Sequence, residues 1–188
     1  MTSGRELLAF MREVASHNNT IPREDSDFDP DETPTAPVKA PKPERYVLLV
    51  EDDPDIRDTV KQCLCDLGYT VKTAVHGEEA LAILDREYMR TQAAGAPPAM
   101  PSVILLDIMM PVMSGLEFYA VLRRARPQFA AVPVIVMSAD TSITYFQDWA
   151  INIADLDVPR DKLPKPFALN DLTEKVAKAA GLPPDKPA

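Results

Sequence analysis

The sequence is poor in several features that would point to common classes of protein. It has only two cysteines, Cys63 and Cys65, which lie too close in sequence for an ordinary disulfide framework and lack partner ligands for zinc. Its 20 basic residues are outnumbered by 29 acidic ones, and a net charge of −9 argues against a nucleic-acid-binding surface, which needs a clustered basic face. No apolar run approaches the roughly 18 residues of a membrane span, and the N-terminus lacks the apolar centre of a signal peptide. We therefore expect a cytoplasmic protein that binds neither nucleic acid nor membranes, with both thiols reduced and packed as small apolar groups.

Differences in composition along the sequence divide the chain into four parts. Residues 1–18 carry apolar side chains at helical spacing and predict a short amphipathic helix, which could dock on a partner or on a second copy of the chain. Residues 19–44 are rich in proline and acidic side chains and predict a disordered linker. Hydrophobic residues make up 46% of the sequence, enough for one globular domain, which we place at residues 45–181. Residues 182–188 are expected to be a loose tail.

The domain shows five repeats of an apolar strand pattern followed by a helical pattern. The predicted strands are 46–50, 69–74, 103–106, 132–137 and a short one around Leu163. The predicted helices are 55–67, 78–89, 115–126, 141–153 and 170–180, and Thr91 to Pro101 is expected to be a mobile surface loop. Five βα units predict an α/β fold: a doubly wound parallel sheet of order 2-1-3-4-5 between two layers of helices, the flavodoxin-like three-layer sandwich.

Acidic side chains follow the two strands that this order places at the centre. Glu51 and Asp52 come directly after the first strand, and Asp107 ends the third. Because ligands of such sheets bind at the carboxyl ends of the central strands, these three carboxylates should share one crevice, where their repulsion calls for a cation. Mg²⁺, which prefers oxygen ligands and keeps several waters, fits an open site of this kind. Asp53, one residue further on, is expected to be a solvated loop acid.

Two more side chains should reach the same crevice. The fourth strand ends at Ser138, and Lys165 precedes the last helix. A carboxylate, a metal ion, a hydroxyl and an ammonium group together can hold a phosphoryl group on the carboxylate. His76, in contrast, is expected to be an exposed turn residue.

Four segments in register resemble the response-regulator receiver (CheY-like) family. They are VLLVEDDPDIR at 47–57, ILLDIMMPVMSG at 104–115, VIVMSA at 134–139 and KPF at 165–167. The resemblance implies a two-component response regulator that accepts a phosphoryl group from a sensor histidine kinase or a histidine phosphotransfer protein and then switches its binding to an unknown protein target. It implies the following site residues: Asp107 as phospho-acceptor; Glu51, Asp52, Asp107 and the main-chain carbonyl of Met109 as Mg²⁺ ligands; Ser138 and Lys165 as switch and phosphate-binding groups; and a cis bond before Pro166.

The sequence departs from the family at the last strand. Lys162 occupies the usual aromatic switch position, and Pro164 lies in the strand itself, which is tolerable only at a sheet edge. A receiver fold that binds partners without phosphorylation therefore stays open as an alternative. A phosphatase of the haloacid-dehalogenase type is disfavoured, since its general acid would be an aspartate where this chain has Met109. We expect a stand-alone receiver with no enzymatic activity beyond its own phosphorylation and slow autodephosphorylation.

Overall fold

The computed structural model describes residues 43–139, 156, 159 and 161–180. They form one parallel sheet of order β2-β1-β3-β4-β5, which confirms the predicted fold. The strands are β1 (Arg45–Val50), β2 (Val71–Ala74), β3 (Met100–Asp107), β4 (Val134–Ser138) and β5 (Asp161–Pro164). The helices are α1 (Pro54–Asp66), α2 (Gly77–Ala93), α3 (Gly115–Ala125) and α4 (Leu169–Ala180), with a 3-10 turn at Pro127–Phe129. The predicted helices 1–18 and 141–153, almost all of the linker and the tail 182–188 lie outside the described residues.

The sheet has an apolar cluster on each face because side chains alternate along its strands. Leu48 and Val50 of β1 point into the first cluster, with residues of α2 and α3, whereas Leu49 points into the second, with residues of α1 and α4. Each fully buried leucine or valine contributes roughly 1.5–3 kcal/mol of transfer free energy. The central strands, buried on both faces, are therefore a rigid base for the residues that follow them. Within the described residues, no helix is long and apolar enough to cross a membrane.

Polar side chains fix where the helices begin. Ser114 and Glu117 form a reciprocal capping box at the start of α3. Asp53 is exposed, but it is more than a solvated acid, because its carboxylate accepts hydrogen bonds from two backbone amides of α1 and caps that helix. The ring of His76 likewise caps α2 by accepting from the amide of Glu79 at 3.3 Å, so it is not simply an exposed turn residue.

The prediction of a loop from Thr91 to Pro101 was wrong at both ends. Helix α2 continues to Ala93, and β3 already begins at Met100. The hydroxyl of buried Thr91 accepts a hydrogen bond from the amide of buried Ala99 at 2.8 Å. This bond ties the two ends of the connection together, so the segment is anchored rather than loose.

The outward side of α1 also differs from the prediction. Leu67 is exposed at 37%, and Cys65 is exposed although its thiol was expected to be packed as a small apolar group. Val60 and Leu64 define the buried stripe, and a residue one position beyond Leu64 is rotated by about 100° away from it. Cys63 is half-buried, and burial raises the pKa of its thiol.

Candidate functional site

Three carboxylates converge at the carboxyl ends of β1 and β3. The parallel register pairs Val50 with Leu106, so Glu51 and Asp107 lie side by side where the two strands end. One oxygen each from Glu51, Asp52 and Asp107 lies within 4.8 Å of the others. Like charges at that distance repel by a few kcal/mol at an effective dielectric constant of about 20. The three carboxylates therefore converge as expected from the sequence, and a cation placed among them would reduce their repulsion.

Lys165 supplies one positive charge to this cluster. Its ammonium group donates to both oxygens of Glu51, at 2.9 and 2.8 Å, and to Oδ2 of Asp107 at 3.0 Å. Burial alone would lower the pKa of Lys165, but the hydrogen bonds with Glu51 and Asp107 raise it, so the lysine stays charged. One cation thus bridges two of the three acids.

Glu51 is the most enclosed of the acids. Its side chain is fully buried, and burial raises its pKa to about 7. The hydrogen bond from Lys165 lowers the pKa of Glu51, whereas the charge of Asp107 raises it further. One ammonium group therefore does not fully compensate this pair of buried carboxylates, and a further cation would favour their ionised forms.

The backbone holds Asp107 and Lys165 in place. Asp107 is only 5% exposed, and its Oδ1 atom accepts a hydrogen bond from the amide of Ile108 at 2.6 Å. The amide of Lys165 donates to the carbonyl of Ser138 at 2.8 Å, and the peptide bond between Lys165 and Pro166 is cis, as the resemblance implied. Ser138 is buried and follows Met137, the β4 residue paired with Asp107.

The donor set fits a hard divalent cation. All three ligand groups are carboxylates, and Asp52 is partly exposed, so the cluster opens to solvent on one side. Such an arrangement suits a metal ion that retains water molecules. Asp53 is turned away to cap α1. The role of the Met109 carbonyl as a ligand stays a prediction.

Arg57 belongs to this site and was missed from the sequence. Its Nη1 atom donates to the carbonyl oxygens of Glu51 at 3.0 Å and Asp52 at 3.1 Å. The signal was visible, because Arg57 ends the first motif and lies one helical turn after Asp53. What could not be read is that its side chain folds back onto the loop instead of pointing to solvent.

A groove of about 560 Å³ opens beside Lys165, between α1 and the segment that leads into α4. Its lining is mostly apolar and includes Ile56, Val60, Ala139 and Phe167. Lys165 is part of this lining, so the groove adjoins the ammonium group that contacts Glu51 and Asp107.

Comparison with known proteins agrees with this geometry. The family model for the response regulator receiver domain matches residues 47–177. The chain is 33% identical over 147 residues to the alkaline phosphatase synthesis transcriptional regulatory protein SphR of Synechococcus elongatus, covering 77% of this chain and 52% of SphR. It is 33% identical over 131 residues to the response regulator MprA of Mycobacterium leprae, covering 69% of this chain and 48% of MprA. The chain thus spans about half the length of the curated relatives it matches.

A solved structure shows the same fold. The chemotaxis protein CheY4 of Vibrio cholerae superimposes with a TM-score of 0.58 at 30% identity, covering 73% of this chain and 99% of CheY4. The same family is therefore indicated by the sequence match, by the strand order and by the position of the acids. The chain belongs to the response regulator receiver family of two-component systems.

Proposed function

We propose that this receiver domain accepts a phosphoryl group on Asp107 from a sensor histidine kinase or a histidine phosphotransfer protein, and thereby switches its binding to another protein. The observation that carries the proposal is the single ammonium group of Lys165, shared between Asp107 and Glu51 beside three converging carboxylates. The relatives named as response regulators support it. The apolar groove beside Lys165 offers a face on which a phosphodonor protein could rest.

Each residue of the site would have a separate role in phosphoryl transfer. A carboxylate oxygen of Asp107 attacks phosphorus, and the bond from phosphorus to the donor nitrogen breaks as the donor imidazole leaves, taking up a proton. The Ile108 amide holds the other oxygen of Asp107. Lys165 would pair with a phosphoryl oxygen, and the Ser138 hydroxyl would donate a hydrogen bond to another. Mg²⁺ held by Glu51, Asp52, Asp107 and the Met109 carbonyl would supply positive charge for the phosphoryl oxygens.

The proposal is tested by incubating the purified chain with acetyl phosphate and Mg²⁺ and measuring its intact mass. The mass of one added phosphoryl group supports it, and an unlabelled chain would favour a receiver fold that binds partners without phosphorylation. That second candidate rests on Lys162, which is exposed on β5 where the family usually has an aromatic side chain. Self-catalysed phosphorylation and slow autodephosphorylation are the whole of the activity we propose.

Replacing Asp52 with asparagine should weaken Mg²⁺ binding by about tenfold, or about 1.4 kcal/mol, because one anionic ligand is lost. The same change removes repulsion from the cluster, so the metal-free chain should gain on the order of 1 kcal/mol in its free energy of unfolding. Isothermal titration with MgCl₂ and urea unfolding measure the two effects. Asp53→Asn is the matched control, since asparagine caps a helix as well as aspartate. Unchanged Mg²⁺ affinity in Asp52→Asn would remove Asp52 from the ligand set.

Replacing Met109 with asparagine should speed hydrolysis of the phosphorylated chain several-fold, up to about tenfold, which corresponds to about 1.4 kcal/mol of barrier. The Met109 side chain lies two residues past the acceptor and is 73% exposed, so an amide there can orient an attacking water, which a thioether cannot. The decay rate of purified phosphoprotein with Mg²⁺ checks this. Met89→Asn, at a methionine that is 62% exposed on α2, is the control. Equal decay rates in wild type and Met109→Asn would mean that this position does not control the step.

A further inference from the structure

We infer that Arg57 is a positioning residue for the metal site: its guanidinium group fixes the two peptide units that carry Glu51 and Asp52, so that both carboxylates converge with Asp107. The inference rests on the proposed function, since it concerns the Mg²⁺ that the carboxylates would hold. It assigns to α1 a part in assembling the site, although no side chain of that helix is among the three converging acids.

The contacts of Arg57 are made by a single nitrogen. Nη1 lies 3.0 Å from the carbonyl oxygen of Glu51 and 3.1 Å from that of Asp52. This nitrogen carries two hydrogens, so it can donate one to each carbonyl. Two consecutive carbonyls that converge on one atom cannot rotate independently, and the direction of the side chain between them is restricted accordingly. Because Arg57 is half-buried, water competes only partly for these bonds.

Arg57 differs in this respect from the other cation at the site. Lys165 contacts the carboxylates themselves and so occupies oxygens that a metal ion would use. Arg57 contacts the main-chain carbonyls of Glu51 and Asp52, so these bonds take up no carboxylate oxygen. Lys165 therefore offsets charge at the site, whereas Arg57 sets the direction of the ligands.

The neighbouring hydrogen bonds complete the loop. The Glu51 amide donates to the carbonyl of Ala74 at 3.0 Å, which fixes the start of the loop, and the Asp53 side chain caps α1, which fixes its end. Asp52 lies between these two anchors, and the bond from Arg57 restrains its carbonyl. Loss of Arg57 should therefore affect mainly the orientation of Asp52.

The test measures Mg²⁺ affinity in the full chain by isothermal titration with MgCl₂. In Arg57→Ala the affinity should fall by about tenfold, the lower end of the range seen when groups that orient metal ligands are lost. The rise in melting temperature that Mg²⁺ produces should shrink in parallel. Arg57→Lys should recover part of the affinity, since an ammonium group can also donate to two carbonyls.

Arg123→Ala is the matched control. Arg123 also donates to main-chain carbonyls, those of Phe129, Ala130 and Val132, but it does so at the amino end of β4, away from the acids. Its loss should lower the melting temperature and leave Mg²⁺ affinity unchanged. A purely structural role of Arg57 would give the same pattern as Arg123.

The outcomes separate this inference from the proposed function. The positioning role of Arg57 is overturned if wild type binds Mg²⁺ and Arg57→Ala binds it equally well. It is also overturned if Arg57→Ala and Arg123→Ala lose Mg²⁺ affinity to the same extent. If wild type binds no Mg²⁺, the metal assignment and the inference fail together. If Arg57→Ala binds Mg²⁺ more weakly but wild type is not labelled by acetyl phosphate, the inference stands and the phosphoryl-accepting function fails.

Discussion

Replacing Asp107 with asparagine should reduce labelling of the chain by acetyl phosphate and Mg²⁺ to background. An amide oxygen is a far poorer nucleophile than a carboxylate oxygen, and the amide nitrogen would have to face the ammonium group of Lys165, which now donates to Oδ2 at 3.0 Å. The Ile108 amide can still donate to the remaining oxygen, so the backbone of the site should stay in place. Intact-mass measurement of wild type and variant after the same incubation gives the result.

Asp53→Asn is the matched control for this experiment. Asp53 is also an acid at the strand-end loops, but it is exposed and caps α1, a role that asparagine fills equally well. It should be labelled like wild type. A phosphoryl adduct in Asp107→Asn as abundant as in wild type would show that another side chain is the acceptor.

The sequence was sufficient to locate the acids of the site because parallel strands leave little freedom. Once the third strand was placed beside the first, the residues after Val50 and Leu106 had to meet at one edge. Lys165 was placed in the same crevice from its position before the last helix, and the resemblance of its KPF segment then implied its role. Its contacts with Glu51 and Asp107, however, join residues that are 114 and 58 positions apart. Spacing along the chain alone would not have predicted those contacts.

Glu87 shows what the sequence could not reveal. It was overlooked within the helix 78–89, yet it is buried, with a relative exposure of 6%. Burial alone would raise its pKa, but hydrogen bonds from Lys72 and Arg90 outweigh that effect and lower it. Lys72 comes from β2, so the pair exists only after strand and helix have packed together. A helical pattern predicts which positions face inward, not which inward charge finds a partner.

The conformation of the turn after Asp107 could not be predicted from the sequence pattern either. Val112 adopts φ = 66°, a left-handed conformation that is rare for a β-branched side chain and costs on the order of 1–3 kcal/mol. The turn is held by its surroundings: the carbonyl of Met113 accepts from the amide of Gly77, and the Gly115 amide donates to the carbonyl of Ile108. The start of α3 is thereby pressed against the end of β3, which makes the size of residue 115 critical.

Replacing Gly115 with alanine should lower the free energy of unfolding by about 3 kcal/mol, the upper end of the usual range for overpacking, or by more. A Cβ atom there would collide with the carbonyl oxygen of Asp107 and would lie 2.9 Å from Cα of Ile108. All of these atoms are backbone, so relief requires moving the end of β3 that carries Asp107, the proposed acceptor. We therefore expect the folded fraction of this variant also to be labelled more slowly by acetyl phosphate. Urea unfolding and time-resolved mass measurement check the two effects.

Alanine substitutions at two other glycines serve as comparisons for Gly115→Ala. One tests a clash with flexible side chains, and the other tests backbone strain without a clash. A Cβ at Gly77 would meet the Met113 side chain at 2.6 Å and Cβ of Phe118 at 2.9 Å, and since the methionine can swing away, Gly77→Ala should cost less, about 1–2 kcal/mol. A Cβ at Gly95 would meet no atom within 4 Å, so Gly95→Ala carries only the strain of φ = +67°, about 1 kcal/mol. The expected order of destabilisation is Gly115, then Gly77, then Gly95, with slowed labelling at Gly115 alone. If Gly115→Ala cost no more than Gly77→Ala and were labelled at the wild-type rate, the contact between α3 and the Asp107 carbonyl would not be the rigid constraint that the geometry indicates.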